Sequence, residues 1–90
     1  MAEITIPVQY RRLTNNKAYF QSKKKRVIDI VLELTEEYPK LRPLFLNDSG
    51  KLRASVLLFV DNKDIRTLSG ADTRVESGSI IKIVPAIAGG

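Results

Sequence analysis

The chain has 90 residues, a formal net charge of +5 and no cysteine, histidine or tryptophan. Without thiols or imidazoles it has no means to form a disulfide, a cysteine nucleophile, a histidine base or the usual zinc, copper and haem sites. A chain of this length forms one small domain, whose thin core leaves little room for a deep catalytic pocket. We therefore expect a carrier or binding protein and not an enzyme.

The first quarter of the chain predicts a β-hairpin. Polar and apolar residues alternate over 3–8, which places Ile4, Ile6 and Val8 on the buried face of a first strand. After a polar turn, the β-forming residues at 18–21 predict a second strand that pairs with the first.

A single amphipathic helix is predicted next. Its apolar stripe consists of Val27, Ile30, Val31, Leu34 and Tyr38. Pro39 ends the helix because proline has no amide hydrogen to continue the hydrogen-bond ladder. At the start, Ser22 is the one candidate N-cap, and four cations at 23–26 lie where the positive end of the helix dipole favours anions.

A long connection and the most apolar strand follow the helix. In the connection, at 39–53, we expect four residues to pack against the core: Leu41, Leu44, Phe45 and Leu46. The strand covers 54–60. If Val56, Leu58 and Val60 point inward, the residues between them, Leu57 and Phe59, point outward. The outward pair is then either buried beneath the connection or exposed as an apolar patch that docks a partner.

The remaining elements complete an α+β fold. A turn at 61–64 leads to a short strand at 65–66, and after a loop a last strand covers 80–84 and is ended by Pro85. Strands separated by a single main helix are typical of a mixed sheet with the helix packed on one face.

The positive charge is densest at Lys23, Lys24, Lys25 and Arg26. Such a run suits a nucleic-acid backbone, an acidic protein surface or a solvated patch. Because the sequence lacks an aromatic RNA-binding strand and a helix-turn-helix pattern, we expect no nucleic-acid partner. It also lacks a membrane-spanning run and a signal peptide, so we expect a cytoplasmic protein without a membrane partner.

The C-terminal segment is the chemically distinctive feature. We expect a domain at 1–85 and a flexible tail formed by Ala86, Ile87, Ala88, Gly89 and Gly90. Gly89 and Gly90 have no side chains, so they suit a channel too narrow for other residues. The alternative interpretation is an ordinary loose terminus. In the functional interpretation, the reactive group is the carboxylate of Gly90. Activation as a mixed anhydride with AMP would let a sulfur nucleophile displace AMP and leave a thiocarboxylate, which requires no cysteine in this chain.

Three segments together resemble one known family. They are the strand and turn at 56–66, the turn at 75–81 and the ending at 84–90. Together with the order of the elements, these segments make the chain similar, over nearly its whole length, to the MoaD/ThiS family of ubiquitin-like sulfur carriers. The resemblance implies a β-grasp fold with four to five strands and a carrier that binds no cofactor itself. It also implies that an adenylating enzyme of the ubiquitin-activating type uses ATP and magnesium to activate Gly90, while the tail threads into the partner's active site.

Within this family the ending most resembles carriers of cysteine biosynthesis. That likeness implies two further partners, a pyridoxal-phosphate-dependent cysteine synthase and a metalloprotease that releases the finished cysteine. The small subunit of molybdopterin synthase is the second interpretation, with the large subunit as partner. A modifier joined to lysines by isopeptide bonds and a plain interaction module remain as alternatives.

The resemblance also implies a use for the outward side chains. Leu57 and Phe59 would dock the activating enzyme or the acceptor, and Arg66 and Arg74 would supply charges at the rim. The alternative is that these arginines are ordinary surface residues. The acidic pairs at 61/64 and 36/37 are better explained by solvation of a turn and of a helix than by acid-base chemistry.

Overall fold

A five-stranded mixed sheet organises the computed structural model, which describes residues 1–85. The strands are β1 (Ala2–Thr5), β2 (Tyr19–Ser22), β3 (Val56–Val60), β4 (Lys63–Asp64) and β5 (Ile80–Pro85). Their order across the sheet is β2-β1-β5-β3-β4, with β1 and β5 parallel and the other neighbouring pairs antiparallel. The predicted α+β fold, with a mixed sheet and a β-grasp arrangement, is confirmed.

Helix α1 (Val27–Glu37) packs on one face of this sheet. Its buried stripe is the predicted one, except that Tyr38 follows the helix and is only partly buried. Opposite the stripe, the sheet contributes Ile4, Leu58 and Ile81, and each of these is almost fully buried. No helix within residues 1–85 is long and apolar enough to cross a membrane.

The connection after α1 closes one end of the core. It forms a 3₁₀ helix at Pro39–Leu41 and the short helix α2 (Arg42–Phe45). Leu41, Phe45 and Leu46 are buried as predicted, and Phe45 meets the ring of Tyr10 edge-on at 5.5 Å between centroids. The prediction for Leu44 is wrong, because 37% of its surface is exposed.

The predicted hairpin is present, but its first strand is shorter than expected. β1 ends at Thr5, and Pro7 leads into a 3₁₀ helix at Val8–Thr14. Proline cannot donate to a strand ladder, and its fixed φ suits the start of a helical turn. Val8, predicted to face the core, is therefore 71% exposed. The second strand lies one residue later than predicted, with Thr5 opposite Tyr19.

The predicted strand at 65–66 is wrong. Asp61 and Asn62 both have positive φ and make a tight two-residue turn, so pairing with β3 begins at Lys63. The Asp64 carboxylate then accepts a 2.8 Å hydrogen bond from the Arg66 amide and starts a 3₁₀ helix at Ile65–Thr67. β3 itself begins at Val56, two residues later than predicted.

Substitution of Leu34 tests the packing of α1 on the sheet. Leu34→Ala should lower the free energy of unfolding by about 2–5 kcal/mol, because it removes fully buried methyl groups and leaves a cavity. Chemical denaturation measures this change. Leu44→Ala is the matched control, and equal losses in the two variants would contradict the described core.

Candidate functional site

The sheet face opposite α1 carries one continuous row of side chains. Directly paired residues of neighbouring strands share a face. The register aligns Tyr19, Thr5, Lys82, Phe59 and Asp64 across all five strands. Because the alternate residues of β1, β3 and β5 lie under α1, this row belongs to the outer face.

An apolar patch lies on this outer face, on β3 and β5. It consists of Leu57, Phe59, Ile80 and Val84, which we call the apolar patch. The exposed Lys82 lies on the same face between Ile80 and Val84, opposite Phe59, and interrupts the patch. Leu57 lies opposite Val84, and 44% of Val84 and 43% of Ile80 are exposed. Leu57 and Phe59 are half-buried and do not belong to the cluster packed beneath α1 and the connection. Their outward direction agrees with the alternation, whereas their docking role stays a prediction.

The apolar patch lies where the chain leaves the sheet. Pro85, the last residue of β5, pairs with Val56, next to the Leu57–Val84 pair. A segment that follows Pro85 therefore starts beside apolar side chains. The predicted tail, Ala86, Ile87, Ala88, Gly89 and Gly90, lies outside the described residues, so its role stays a prediction.

Arg66 is held at the border of the outer face by an ion pair. Its guanidinium lies 2.6 Å from one carboxylate oxygen of Asp64, which is the end of the row that contains Phe59. The hydrogen bonds from the Arg66 side chain lower the pKa of Asp64, and the same contact raises the pKa of Arg66. The ion pair thus fixes the Arg66 guanidinium beside the apolar patch, where the Asp64 carboxylate offsets its charge.

Arg74 lies elsewhere. It pairs through an isolated bridge with Arg26 and lines a cleft of about 310 Å³ together with Lys23, Lys24 and Lys25. The structure therefore brings Arg66, but not Arg74, together with the apolar patch.

The start of α1 differs from the prediction as well. Ser22 does not cap the helix; its hydroxyl accepts a 3.0 Å hydrogen bond from the Lys24 amide. Arg26 takes the N-cap position, and its guanidinium contacts Asp29 at 3.0 Å and Asp72 at 3.2 Å. These two carboxylates offset the charge of Arg26 near the positive end of the helix dipole.

Sequence reasoning missed part of the apolar patch. Ile80 and Val84 alternate with the buried Ile81 and Ile83, so the pattern of β5 alone indicated an outer face. Their grouping with Leu57 and Phe59 on one face depends on the pairing of β3 with β5, and neither segment alone reveals that pairing. Within residues 1–85 no group of three or more acidic side chains could hold a metal ion.

The whole chain matches one family. The model of the ThiS family matches residues 4–90. The chain belongs to the ThiS family. The sulfur carrier protein CysO of Mycobacterium tuberculosis is 26% identical over 89 residues, which cover 97% of this chain and 96% of that protein.

Solved structures agree with this family assignment at the level of the fold. CysO in a complex with BexX from Amycolatopsis orientalis is similar over 100% of both chains, with a TM-score of 0.88 and 23% identity. Small archaeal modifier protein 1 of Methanosarcina acetivorans has a TM-score of 0.87 and 23% identity, covering 99% of this chain and 95% of that one. The chain therefore has the β-grasp fold of ubiquitin-like proteins.

Replacement of Arg66 tests the ion pair. In Arg66→Gln the pKa of Asp64 should rise toward its ordinary value, because the guanidinium hydrogen bonds and the positive charge that favour the carboxylate are gone. A pH titration of the carboxyl carbon shift by NMR measures the change. Arg74→Gln is the control and should leave the Asp64 pKa unchanged. Because the backbone amide of residue 66 still donates to Asp64, the rise is partial, and an Asp64 pKa that is the same in Arg66→Gln as in the unaltered chain would contradict the described contact.

Proposed function

We propose that this chain carries sulfur as a thiocarboxylate at Gly90 and donates it in the biosynthesis of cysteine. Membership of the ThiS family is the observation that supports the carrier role. The similarity to CysO over nearly the whole chain supports cysteine biosynthesis as the pathway. The chain is then a substrate of its partner enzymes and not itself a catalyst.

The proposed chemistry takes place on the backbone carboxylate of Gly90. A carboxylate oxygen attacks the α-phosphorus of ATP, and pyrophosphate leaves, which produces an acyl adenylate. A sulfur nucleophile then attacks the carbonyl carbon, the bond to AMP breaks, and a thiocarboxylate remains. No side chain of the carrier takes part, which fits a chain with no cysteine and no histidine.

Three enzymes complete this proposal. An adenylating enzyme of the ubiquitin-activating type uses ATP and Mg²⁺ on Gly90, while the carrier itself binds no cofactor. A pyridoxal-phosphate-dependent cysteine synthase accepts the sulfur, and a metalloprotease releases the product from the tail. If the large subunit of molybdopterin synthase accepts the sulfur instead, the chain is a carrier of that pathway.

The apolar patch is proposed as the docking surface for these enzymes. It combines exposed aliphatic side chains with the exposed Lys82 and with the ion pair of Arg66 and Asp64. It also adjoins the point where the chain leaves β5. A partner that covers Leu57 and Phe59 is therefore well placed to receive a segment that follows Pro85.

Intact-mass measurement tests the carrier chemistry. With the cognate adenylating enzyme, ATP, Mg²⁺ and a sulfide source, the mass should increase by the difference between one sulfur and one oxygen. Deletion of Gly90 should abolish this increase, because the reactive carboxylate is then displaced by one residue.

Two results would contradict the proposal. A ladder of larger conjugates without a thiocarboxylate would indicate a protein modifier. Full sulfur transfer by the chain without Gly90 would show that the chemistry lies elsewhere.

Substitution in the apolar patch tests docking. Leu57→Asp should raise the KM of the adenylating enzyme for the carrier about 30-fold, the effect of a hot-spot residue worth about 2 kcal/mol, with kcat little changed. Leu44→Asp introduces the same charge at an exposed leucine away from the outer face. Steady-state kinetics compare the two variants, and equal KM values would exclude this patch as the docking surface.

A further inference from the structure

A second surface lies at the edge of β3 and adjoins the apolar patch, with which it shares Leu57. It is a groove of about 570 Å³, bounded by the segments at 50–54 and 64–72 and by the start of α1. Its apolar lining includes Ile28, Leu52, Val56 and Ile65. We call it the β3 groove, and its volume is within the range of about 300–1,000 Å³ that ligand-binding clefts have.

The first part of β3, at 56–58, lines this groove, and on that side no strand in the described part of the chain pairs with it. β5 pairs with β3 along its whole length, whereas β4 pairs only with Phe59 and Val60. In a tight hairpin the pair next to the turn, here Val60 and Lys63, exchanges both backbone hydrogen bonds, so the alternate residues Leu58 and Val56 direct their polar groups to the same side. The Val56 amide donates to the Arg53 carbonyl, at 3.2 Å.

Two backbone groups consequently face an open strand edge. They are the amide of Leu58 and the carbonyl of Val56. No strand within residues 1–85 pairs with β3 at these two positions on that side. Such an edge is a template for an additional strand, and addition of an extended peptide to a sheet edge is a common mode of recognition.

The rim of the β3 groove is positive at one end. Lys51 and Arg53 line it, are exposed, and make no ion pair within residues 1–85. The Arg53 Nε donates to the carbonyl of Pro43, at 2.8 Å. At the other end, Asp64 and Asp72 are each paired with an arginine. The groove therefore offers an apolar floor and uncompensated positive charge at the 51–53 end.

We infer that the β3 groove binds an extended segment of a partner protein in which aliphatic and acidic residues alternate. The segment adds to β3 as a strand and bonds to the Leu58 amide and the Val56 carbonyl. Alternate side chains of a strand point to opposite sides, so the aliphatic ones enter the groove while the acidic ones remain near Lys51 and Arg53. This inference does not rest on the proposed function, although the groove shares Leu57 and Arg66 with the proposed docking surface.

Charge favours a partner protein over the other occupants. A second copy of the chain brings the same net charge of +5 and repels the positive rim. The chain's own residues after Pro85 contain one large aliphatic side chain, Ile87, and no acidic side chain. An acidic segment matches both the floor and the rim.

An NMR titration tests the inference. A short capped peptide of alternating valine and aspartate is added to the ¹⁵N-labelled full chain, and saturable amide shifts are expected at Leu58 and the other groove residues. Lys51→Glu should raise the dissociation constant about tenfold or more, because it replaces attraction at the rim by repulsion. Lys17→Glu, an exposed lysine in the loop between β1 and β2, carries the same charge change and should bind like the unaltered chain.

Backbone methylation of the peptide tests strand addition directly. Methylating the valine amide that faces β3 should abolish binding, because it removes a donor and blocks approach. Methylating the adjacent amide, which faces away from β3, should leave the affinity nearly unchanged. Equal effects at both positions would overturn strand addition.

Three further results would overturn the inference. The first is the absence of saturable shifts at the groove with the alternating peptide. The second is a set of groove shifts that depends on the concentration of the chain alone, which would assign the groove to a second copy. The third is a change of groove shifts on deletion of residues 86–90 without peptide, which would assign it to the chain's own terminal segment.

Discussion

The central position of β5 is the constraint on which the rest of the structure depends. β5 lies between β1, with which it is parallel, and β3, with which it is antiparallel. Its inner residues, Ile81 and Ile83, lie in the core under α1, while Ile80 and Val84 lie on the outer face. One strand thus completes the core, builds half of the apolar patch and ends at Pro85 beside that patch.

In this arrangement the residues that stabilise the fold and the residues proposed to dock partners lie on opposite faces of the sheet. The core uses one face of the sheet, and the proposed docking uses the other, so partner contacts need not disturb the packing of α1. The β3 groove lies at the sheet edge, and the basic residues at 23–26 lie at the start of α1, near Arg74.

Periodicity explains how much of this could be predicted from the sequence. The helical spacing of Val27 to Leu34 and the alternation in 80–84 depend on local patterns, so α1 and β5 were predicted nearly to the residue. The errors at Val8 and at 65–66 occur where turn chemistry overrides the apolar pattern. Pro7 begins a 3₁₀ helix, and the Asp64 carboxylate turns the chain after a two-residue strand.

The surfaces were harder to predict than the elements. The outward direction of Leu57 and Phe59 depends on the period of one strand, but their grouping with Val84 depends on the register between two distant segments. The β3 groove has walls from the start of α1, from 50–54 and from 64–72, and its open edge exists because β4 is only two residues long. No local pattern contains that information.

The central claim of the proposal is that the reactive atoms of this protein belong to the carboxylate of Gly90. The most direct measurement is fragment-ion mass spectrometry of the C-terminal peptide from chain isolated while its sulfur pathway is active. The account predicts sulfur in place of oxygen on the carboxyl group of Gly90. An unmodified Gly90, with sulfur bound at another residue, would contradict it.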